Sequence, residues 1–374
     1  MRILHIDTGT GWRGGQQQVL WLMEGCQEQG IEQRLLAPAH SPLAARAARA
    51  GLPVTTISRG PLHLRSLQTV RKLAGEADLV HAHDSRAHSL YCDAFPFRVG
   101  VRPPLVVSRR VGFPIASLGR SKYRIPALFI AVSEFVRGRL IEAGVPAEKI
   151  RVVFDGVRVP AKLPGPFQRE QARRARGLAG GAFVFGTLSS FAPEKLLLEP
   201  LRLLRQLPET AHFWLGVPAA ERDAASGGAS LLAEARRLGL ADRFQIVPVG
   251  ENPARFFASL DLFLYLSRME GLGSAILLAM AYALPVIASQ VGGIPEIVLH
   301  QRTGLLVKNG AEHELPGAVE FLMQSAEMRY RLGAAGRRFV LAHATNDQMV
   351  GRTILLYREL GTRRSSKRSS EAVA

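Results

Sequence analysis

The chain has 374 residues, of which 47% are hydrophobic and 21% charged, a balance typical of globular proteins. This length exceeds that of one compact domain, so we expect two. The first residues are typical of a strand and lack the charged start and apolar core of a secretion signal. Pro285 interrupts the longest apolar run before it is long enough to span a membrane. The two cysteines, Cys26 and Cys92, are too few for a disulfide framework. We therefore expect a protein without a membrane-spanning segment that is cytoplasmic or peripheral at the inner face of the plasma membrane.

The formal net charge of +17 is concentrated in the first half of the chain. Residues 1–180 contain 27 Lys and Arg against 13 Asp and Glu, whereas the remainder is nearly balanced apart from a basic tail. This asymmetry favours an anionic substrate or an anionic membrane surface, although surplus arginine on solvated faces gives the same pattern. No nucleic-acid-binding motif accompanies the charge, so no nucleic-acid partner is expected. The polar tail, residues 361–374, is predicted to be disordered.

Short apolar runs alternate with segments of helical period in both halves of the chain. This pattern predicts an α/β protein of two doubly wound, Rossmann-like domains. The predicted strands occupy residues 3–7, 33–37, 54–57, 79–82, 105–108, 128–132, 151–154, 183–187, 212–215, 244–247, 261–265, 286–288 and 304–307. The predicted helices occupy residues 16–29, 66–73, 134–143, 196–206, 231–238, 275–283 and 315–324.

A proline-rich segment without periodicity, residues 159–166, predicts a linker between the two domains. We therefore expect an N-terminal domain over residues 1–163 and a C-terminal domain over residues 164–345. A helix at residues 346–360 is expected to pack back on the first domain. Open parallel sheets bind ligands at the carboxyl ends of their strands, so the two domains are expected to face each other across a cleft.

Two segments of the first half carry candidate binding residues. Gly14 and Gly15 follow the first strand and open a helix, where a ligand can approach the backbone amides. Their spacing matches neither the dinucleotide fingerprint nor the phosphate loop. His83 follows a buried strand and shares one face with His81. Because no third ligand lies nearby in the sequence, we predict a hydrogen-bonding histidine and no metal site.

A basic cluster follows the fifth predicted strand and has aromatic residues among its charges. It contains Arg109, Arg110, Lys122 and Arg124. Guanidinium groups bind phosphate through two parallel hydrogen bonds, so a phosphorylated or lipid-diphosphate acceptor suits this cluster. A solvated loop explains the same composition equally well.

The second half contains two further candidates, each placed where a strand gives way to a helix. Lys195 offers an ammonium group that can neutralise a phosphate. Glu270 is followed by four residues that open an apolar helix, Gly271, Leu272, Gly273 and Ser274. Their amides can cradle a diphosphate while the Glu270 carboxylate accepts hydrogen bonds from hydroxyl groups.

Taken in order, these segments resemble the retaining glycosyltransferases of family 4, which have the GT-B architecture. The matching segments are Gly14-Gly15, Val80-His81-Ala82-His83-Asp84, Pro193-Glu194-Lys195, Glu270-Gly271-Leu272-Gly273 and Gly292-Gly293-Ile294-Pro295-Glu296. The resemblance implies transfer of a hexose-type sugar from a nucleotide sugar to a glycan or lipid-linked acceptor of the cell envelope. Lipopolysaccharide or exopolysaccharide biosynthesis is the expected setting, with no cofactor and no metal.

The resemblance also implies individual roles. His83 and Glu270 would be the catalytic residues, His83 bonding the sugar near its reacting carbon and Glu270 holding sugar hydroxyls. Gly14 and Gly15 would approach the donor phosphates or the transferred sugar. Lys195 would neutralise the leaving diphosphate, and the residues from Gly271 to Ser274 would complete the donor site.

Three residues depart from the family pattern. Leu278 stands where the family has a second glutamate that binds the nucleotide ribose, Thr187 where an arginine is frequent, and Leu196 where a glycine is common. One lost charged hydrogen bond costs about 1.5 to 3 kcal/mol, so we expect altered or weaker nucleotide recognition. The alternatives are a degenerate, noncatalytic GT-B protein that binds a glycan or a partner enzyme, and a nucleotide-sugar epimerase of similar architecture.

Overall fold

The structure, a computed structural model, describes residues 1–57, 63–96, 102–115, 117–178, 180–219, 227–250 and 252–371. The chain divides into two compact units. The first domain combines Met1–Gly156 with Asn346–Ala374, and the second consists of Val157–Thr345. The boundary lies before the predicted linker because Val157 already belongs to the second domain. Its N–H donates to the Ala344 carbonyl at 3.0 Å.

The first domain is built on a parallel sheet in the order β3-β2-β1-β4-β5-β6-β7. Its strands are β1 (Arg2–Ile6), β2 (Glu32–Pro38), β3 (Val54–Ile57), β4 (Leu79–Ala82), β5 (Leu105–Arg109), β6 (Leu128–Ala131) and β7 (Ile150–Val152). Its helices are α1 (Gly14–Glu28), α2 (Pro42–Arg49), α3 (His63–Glu76), α4 (Ser85–Ala94) and α5 (Glu134–Glu142), with 3-10 turns at Ser117–Arg124 and Ala147–Lys149. The order reverses beside β1, which makes β1 and β4 the strands at the topological switch point.

The second domain has a parallel sheet in the order β10-β9-β8-β11-β12-β13. Its strands are β8 (Phe183–Leu188), β9 (Ala211–Pro218), β10 (Phe244–Val249), β11 (Leu262–Tyr265), β12 (Val286–Ser289) and β13 (Leu305–Val307). Its helices are α6 (Pro166–Arg174), α7 (Glu199–Leu204), α8 (Gly227–Arg237), α9 (Ala254–Ser259), α10 (Ser274–Ala281), α11 (Ile294–Ile297), α12 (Leu315–Gln324) and α13 (Ala326–His343). Both domains are therefore Rossmann-like, as predicted.

Buried aliphatic and aromatic side chains hold each sheet to its helices. In the second domain, Phe185 and Phe213 stack at 5.2 Å within a core that extends to Leu332 of α13. In the first domain, Ile3 of β1 and Leu22 of α1 share a core with residues of the C-terminal helix. Each buried side chain of this size contributes roughly 1.5 to 3 kcal/mol of hydrophobic stabilisation.

The C-terminal helix α14 (Asn346–Glu371) packs on α1 in the first domain. A Cβ added at Gly25 of α1 would lie 2.6 Å from Val350 Cγ1, so only glycine permits this close helix approach. The helix continues to Glu371, through most of the tail predicted to be disordered over residues 361–374. Neither proline nor glycine follows Gly361 in this stretch, so nothing in its sequence breaks the helix. No helix within the described ranges is long and apolar enough to cross a membrane.

Candidate functional site

Three buried histidines lie side by side at the centre of the first sheet. His5 on β1 is paired in register with His81 on β4, and His83 follows β4 directly. The His83 N–H donates to the Ile6 carbonyl at 2.9 Å, which fixes His83 beside the end of β1. The rings of His81 and His83 are 3.9 Å apart, so the predicted common face is confirmed.

Hydrogen bonds link these histidines into two chains. His5 Nδ1 and His83 Nε2 are 2.9 Å apart. His81 Nδ1 lies 2.5 Å from the Tyr357 hydroxyl of α14, and His81 Nε2 lies 2.8 Å from Ser108 Oγ. Burial lowers the pKa of all three imidazoles, that of His5 to about 3. They are therefore neutral at physiological pH.

The same three histidines are a group that could hold a metal ion. One nitrogen from each lies within 4.8 Å of the others, and neutral imidazoles are suitable ligands. Both nitrogens of His81 already have hydrogen-bond partners, and His5 bonds to His83. A bound ion would have to replace some of these bonds. The expectation that no third ligand lies near His81 and His83 was wrong, because strand pairing places His5 beside them. Among the described residues, the buried His5 Nε2 and His83 Nδ1 have no hydrogen-bond partner.

The loop before Gly14 and Gly15 is shaped by the buried carboxylate of Asp7. Asp7 Oδ1 accepts a hydrogen bond from the Gly9 N–H at 2.9 Å, and both carboxylate oxygens lie 3.3 Å from Gln16 Nε2. Burial, followed by the charge of Asp84, raises the pKa of Asp7 to about 6. This loop leads into α1, which begins at the exposed Gly14 and the half-buried Gly15.

The four residues of the basic cluster occupy separate environments. Arg109 is buried and donates to the Tyr123 hydroxyl and to the Phe113 carbonyl. Lys122 Nζ bonds to Ser89 Oγ at 2.7 Å and to the Ser85 carbonyl at 3.1 Å, whereas Arg124 is exposed. Arg109 therefore ties the end of β5 to the loop and 3-10 turn that follow it, and Lys122 ties that turn to α4.

Arg110 differs from the other three. It lies beside Gly15, since a Cβ added at Gly15 would be 4.0 Å from Arg110 Cδ. Its Nε donates to Asp155 Oδ1 at 3.2 Å, and within the described part of the chain its buried Nη1 has no partner. The sequence did not indicate that Asp155 is a neighbour of Arg110. Asp155 lies just after β7, and only the order of the strands in the sheet brings this segment close to Arg110.

In the second domain, Lys195 and Glu270 meet as an ion pair with side chains 13% and 18% exposed. The Tyr265 hydroxyl joins them, since it lies 2.6 Å from Lys195 Nζ and donates to Glu270 Oε2 at 2.6 Å. Two residues predicted separately are thus brought together. Tyr265 was missed because its apolar, strand-like surroundings indicate only a core residue.

Backbone bonds connect the segments that carry Lys195 and Glu270. Lys195 forms an antiparallel bridge with Ser267. The Leu196 N–H donates to the Leu266 carbonyl at 3.2 Å, and the Arg268 N–H donates to the Glu194 carbonyl at 2.9 Å. The relative placement of ammonium and carboxylate is therefore set by the backbone as well as by their own contact.

The predicted glycine-rich segment opens helix α10. Gly273 is its N-cap, with φ of 101°, a value that glycine adopts without strain. Gly273 has no side chain, so the N-cap itself supplies no acceptor for the amides of the first turn. Leu272 is buried with 1% exposure, and the Gly271 N–H donates to Glu270 Oε1 at 3.2 Å. The segment thus presents backbone next to the carboxylate, with Ser274 as the first helical residue.

Gly292, in the next loop, packs directly on the backbone of Glu270. Its φ is 55°, and a Cβ added there would lie 1.9 Å from the Glu270 carbonyl oxygen. The following amide, of Gly293, donates to that oxygen at 3.3 Å. The two glycines therefore set the position of Glu270 from the opposite side.

The residues that depart from the family pattern are also placed. Leu278 is half-buried on α10, and Thr187 is 3% exposed in β8. Neither side chain carries a charge. Any cationic or acidic contact to a nucleotide in this domain must come from other residues.

Two family models match the chain, one in each domain. Residues 12–159 match the Glycosyltransferase Family 4 model, and residues 168–339 match the model described as Glycosyl transferases group 1. Together they account for most of the chain, in the order expected for two Rossmann-like domains. The chain belongs to the GT-B glycosyltransferases.

Curated relatives are similar over part of their length. A D-inositol 3-phosphate glycosyltransferase from Jonesia denitrificans is 31% identical over 54% of this chain and 50% of its own. A GDP-mannose-dependent alpha-(1-6)-phosphatidylinositol monomannoside mannosyltransferase from Mycobacterium tuberculosis is 30% identical over 59% of each chain. This glycosyltransferase chain thus spans about half to three fifths of the length of these relatives.

Solved structures share the fold over nearly the whole chain. Anabaena HepE in complex with UDP and glucose superposes with a TM-score of 0.84 at 21% identity, covering 95% of this chain and 99% of that one. A glycosyltransferase from Rickettsia africae gives a TM-score of 0.83 at 16% identity, covering 96% and 98%. At these identities the likeness establishes the GT-B fold alone.

Proposed function

We propose that the protein is a retaining glycosyltransferase that moves a hexose-type sugar from a nucleoside-diphosphate sugar to a glycan or glycolipid of the cell envelope. The observation that carries this proposal is the meeting of Lys195, Glu270 and the start of α10 in the second domain. A cation, a carboxylate and helix amides are the groups needed to bind a diphosphate and a sugar side by side.

The chemistry follows from where charge develops. When the bond between the sugar and the nucleoside diphosphate breaks, negative charge grows on the leaving phosphate. We propose that Lys195 and the amides of α10 stabilise this charge, as preorganised donors do in other active sites. Glu270 holds sugar hydroxyls. The acceptor hydroxyl replaces the phosphate on the same face and passes its proton to it, so no protein nucleophile and no metal are required.

Named relatives support a nucleotide-sugar donor. One is described as GDP-mannose dependent, and HepE was solved with UDP and glucose. Because Leu278 and Thr187 leave both positions uncharged, the nucleotide is the part of the donor for which we propose altered recognition. The sugar and diphosphate contacts stay with Glu270 and Lys195.

We propose that the acceptor binds the first domain and is anionic or lipid-linked. The excess of basic residues in the first half supports this assignment, and Arg110 beside Gly15 is the best placed of the four basic candidates. Attraction to an anionic membrane surface is electrostatic and weakens as salt screens it. Sedimentation with anionic vesicles should therefore fall as salt rises, and absence of binding at low salt would contradict the membrane assignment.

The donor site can be tested by calorimetry with UDP, GDP and ADP. We expect one of them to bind in the micromolar range and Lys195→Ala to weaken it roughly 10-fold or more, since a hydrogen bond to a charged group is lost. Lys308→Ala, at an exposed lysine of the same domain, is the matched control and should bind normally. Absence of binding at millimolar nucleotide would favour the degenerate, noncatalytic alternative instead.

A further inference from the structure

The Tyr265 hydroxyl occupies a central position in the second domain. Tyr265 is the last residue of β11 and is 5% exposed. Its hydroxyl lies 2.6 Å from both Lys195 Nζ and Glu270 Oε2. A phenol has one proton to donate, so it donates to the carboxylate and accepts from the ammonium. The hydroxyl therefore contacts both halves of the ion pair at once.

The same geometry indicates which contacts Glu270 would keep if the ion pair opened. Glu270 Oε2 receives bonds from both Lys195 and Tyr265. If an anion draws Lys195 away, Oε2 of this largely buried carboxylate keeps Tyr265 as its remaining side-chain donor among the described residues, while the Gly271 N–H still donates to Oε1. Leaving one oxygen of a buried carboxylate without a donor is costly. The phenol is thus the group that keeps Glu270 in place after Lys195 has turned to another anion.

We propose that Tyr265 is a positioning residue that holds Glu270 in place while Lys195 moves to the diphosphate of the donor. This inference rests on the proposed function of the same site. It makes the site selective for ligands with a second phosphate, because only those bring an anion to Lys195. A nucleoside monophosphate leaves the ion pair intact and gains nothing from the phenol.

The first test compares diphosphate and monophosphate binding by calorimetry in Tyr265→Phe. The probes are UDP, GDP or ADP, whichever binds the native protein, and its monophosphate. We expect diphosphate affinity to fall roughly 10-fold or more, the effect of one charged hydrogen bond, with less than about a 2-fold change for the monophosphate. Equal losses for both ligands would mean a merely structural role and overturn the proposal, as would unchanged binding of both.

Tyr282→Phe is the matched control. Tyr282 lies at the C-terminal end of α10 in the same domain, and its ring stacks on Phe257 at 5.0 Å. Removing this hydroxyl leaves the contacts of Lys195 and Glu270 unchanged, so both ligands should bind as they do to the native protein. A selective loss of diphosphate affinity in this control would also overturn the proposal.

A second test needs no ligand and separates this inference from the proposed function. Urea unfolding of Tyr265→Phe, Glu270→Gln and the double variant measures how strongly the two side chains are coupled. We expect the effects on the unfolding equilibrium constant to depart from multiplicativity by roughly 5-fold or more. If no nucleoside diphosphate binds the native protein, the proposed function fails. The unfolding measurements on the three variants still test whether Tyr265 and Glu270 are coupled. Multiplicative effects would overturn the positioning role.

Discussion

Replacing Asp7 by asparagine should stabilise the protein above about pH 6. The carboxylate is buried in the loop that leads to Gly14 and Gly15, and its pKa is raised from 3.8 to about 6, first by burial and then by the charge of Asp84. The folded state thus retains a proton that the unfolded chain releases between about pH 4 and 6. The contribution of Asp7 to stability is therefore fully present below this window and is lost as pH rises through it.

The magnitude follows from the size of the shift. The pKa of Asp7 rises from 3.8 to about 6, and each pKa unit corresponds to about 1.36 kcal/mol. The shift therefore corresponds to about 3 kcal/mol in the free energy of unfolding. Asparagine keeps an oxygen that can accept from the Gly9 N–H, and the Gln16 amide can rotate to accept from the new NH₂ group. We therefore expect Asp7→Asn to match the native protein near pH 4 and to exceed it by up to about 3 kcal/mol near pH 8.

The assay is urea unfolding of both proteins across this pH range, followed by tryptophan fluorescence. The buried histidines also titrate in this range, but they are common to both proteins and cancel in the difference. A pH-independent difference for Asp7→Asn, or lower stability near pH 8, would refute the reasoning.

Three further predictions concern the histidines, the glycines and the nucleotide. Burial lowers the pKa of the three clustered histidines and lowers that of His88 to about 4. Histidines of the unfolded chain gain protons below about pH 6.5 and these buried ones do not, so the melting temperature should fall as pH drops below this value. A melting temperature that does not change with pH would contradict this. Gly292→Ala should abolish nucleotide binding in calorimetry, because displacing the Glu270 backbone also displaces the start of α10 and the ion pair with Lys195. Gly310→Ala, with φ of 85° and open space, should only destabilise the fold. Normal binding by Gly292→Ala would contradict this prediction. Leu278→Glu should tighten a ribose-bearing donor roughly 10-fold or more if it supplies a charged hydrogen bond, and unchanged affinity would count against it.

The strands could be predicted from the sequence because parallel strands buried on both faces are continuous apolar runs. The predicted segment at residues 79–82 coincides with β4, that at 286–288 lies within β12, and every residue of both strands is buried. Helices without a clear apolar stripe were missed. The 18-residue helix α13 is an example, because its buried positions include Gly333 and Gly336, which do not register as hydrophobic. Gly336 packs on Met280 of α10 and Gly333 on the backbone of Ala283 just after it, contacts that are recognisable only in the structure.

Residues of the candidate site could be predicted where a single sequence segment has a recognisable pattern. They could not be predicted where the fold brings separate segments together. Glu270 and Lys195 were predicted from glycines, strand-to-helix positions and the family resemblance. Tyr265 and His5 were not, because their roles depend on which strands and loops are neighbours. Sheet order and register are long-range properties that local composition does not contain.

The basic cluster shows why charge alone did not decide between a phosphate-binding site and a solvated loop. Arg109 and Lys122 are engaged with carbonyl and hydroxyl oxygens of their own domain. Buried arginines with such partners stabilise loops, and the sequence cannot distinguish them from arginines that await a ligand. Only Arg110, beside Gly15, remains well placed for an anion.

The central claim is that this chain transfers a sugar from a nucleotide donor. The most direct measurement incubates the native protein with labelled UDP, GDP and ADP sugars and a membrane extract, and follows label in the glycolipid and glycan fractions. We predict incorporation from one donor, reduced at least about 10-fold in Lys195→Ala and unchanged in Lys308→Ala. No incorporation from any donor, or equal incorporation by the native protein and Lys195→Ala, would contradict the account.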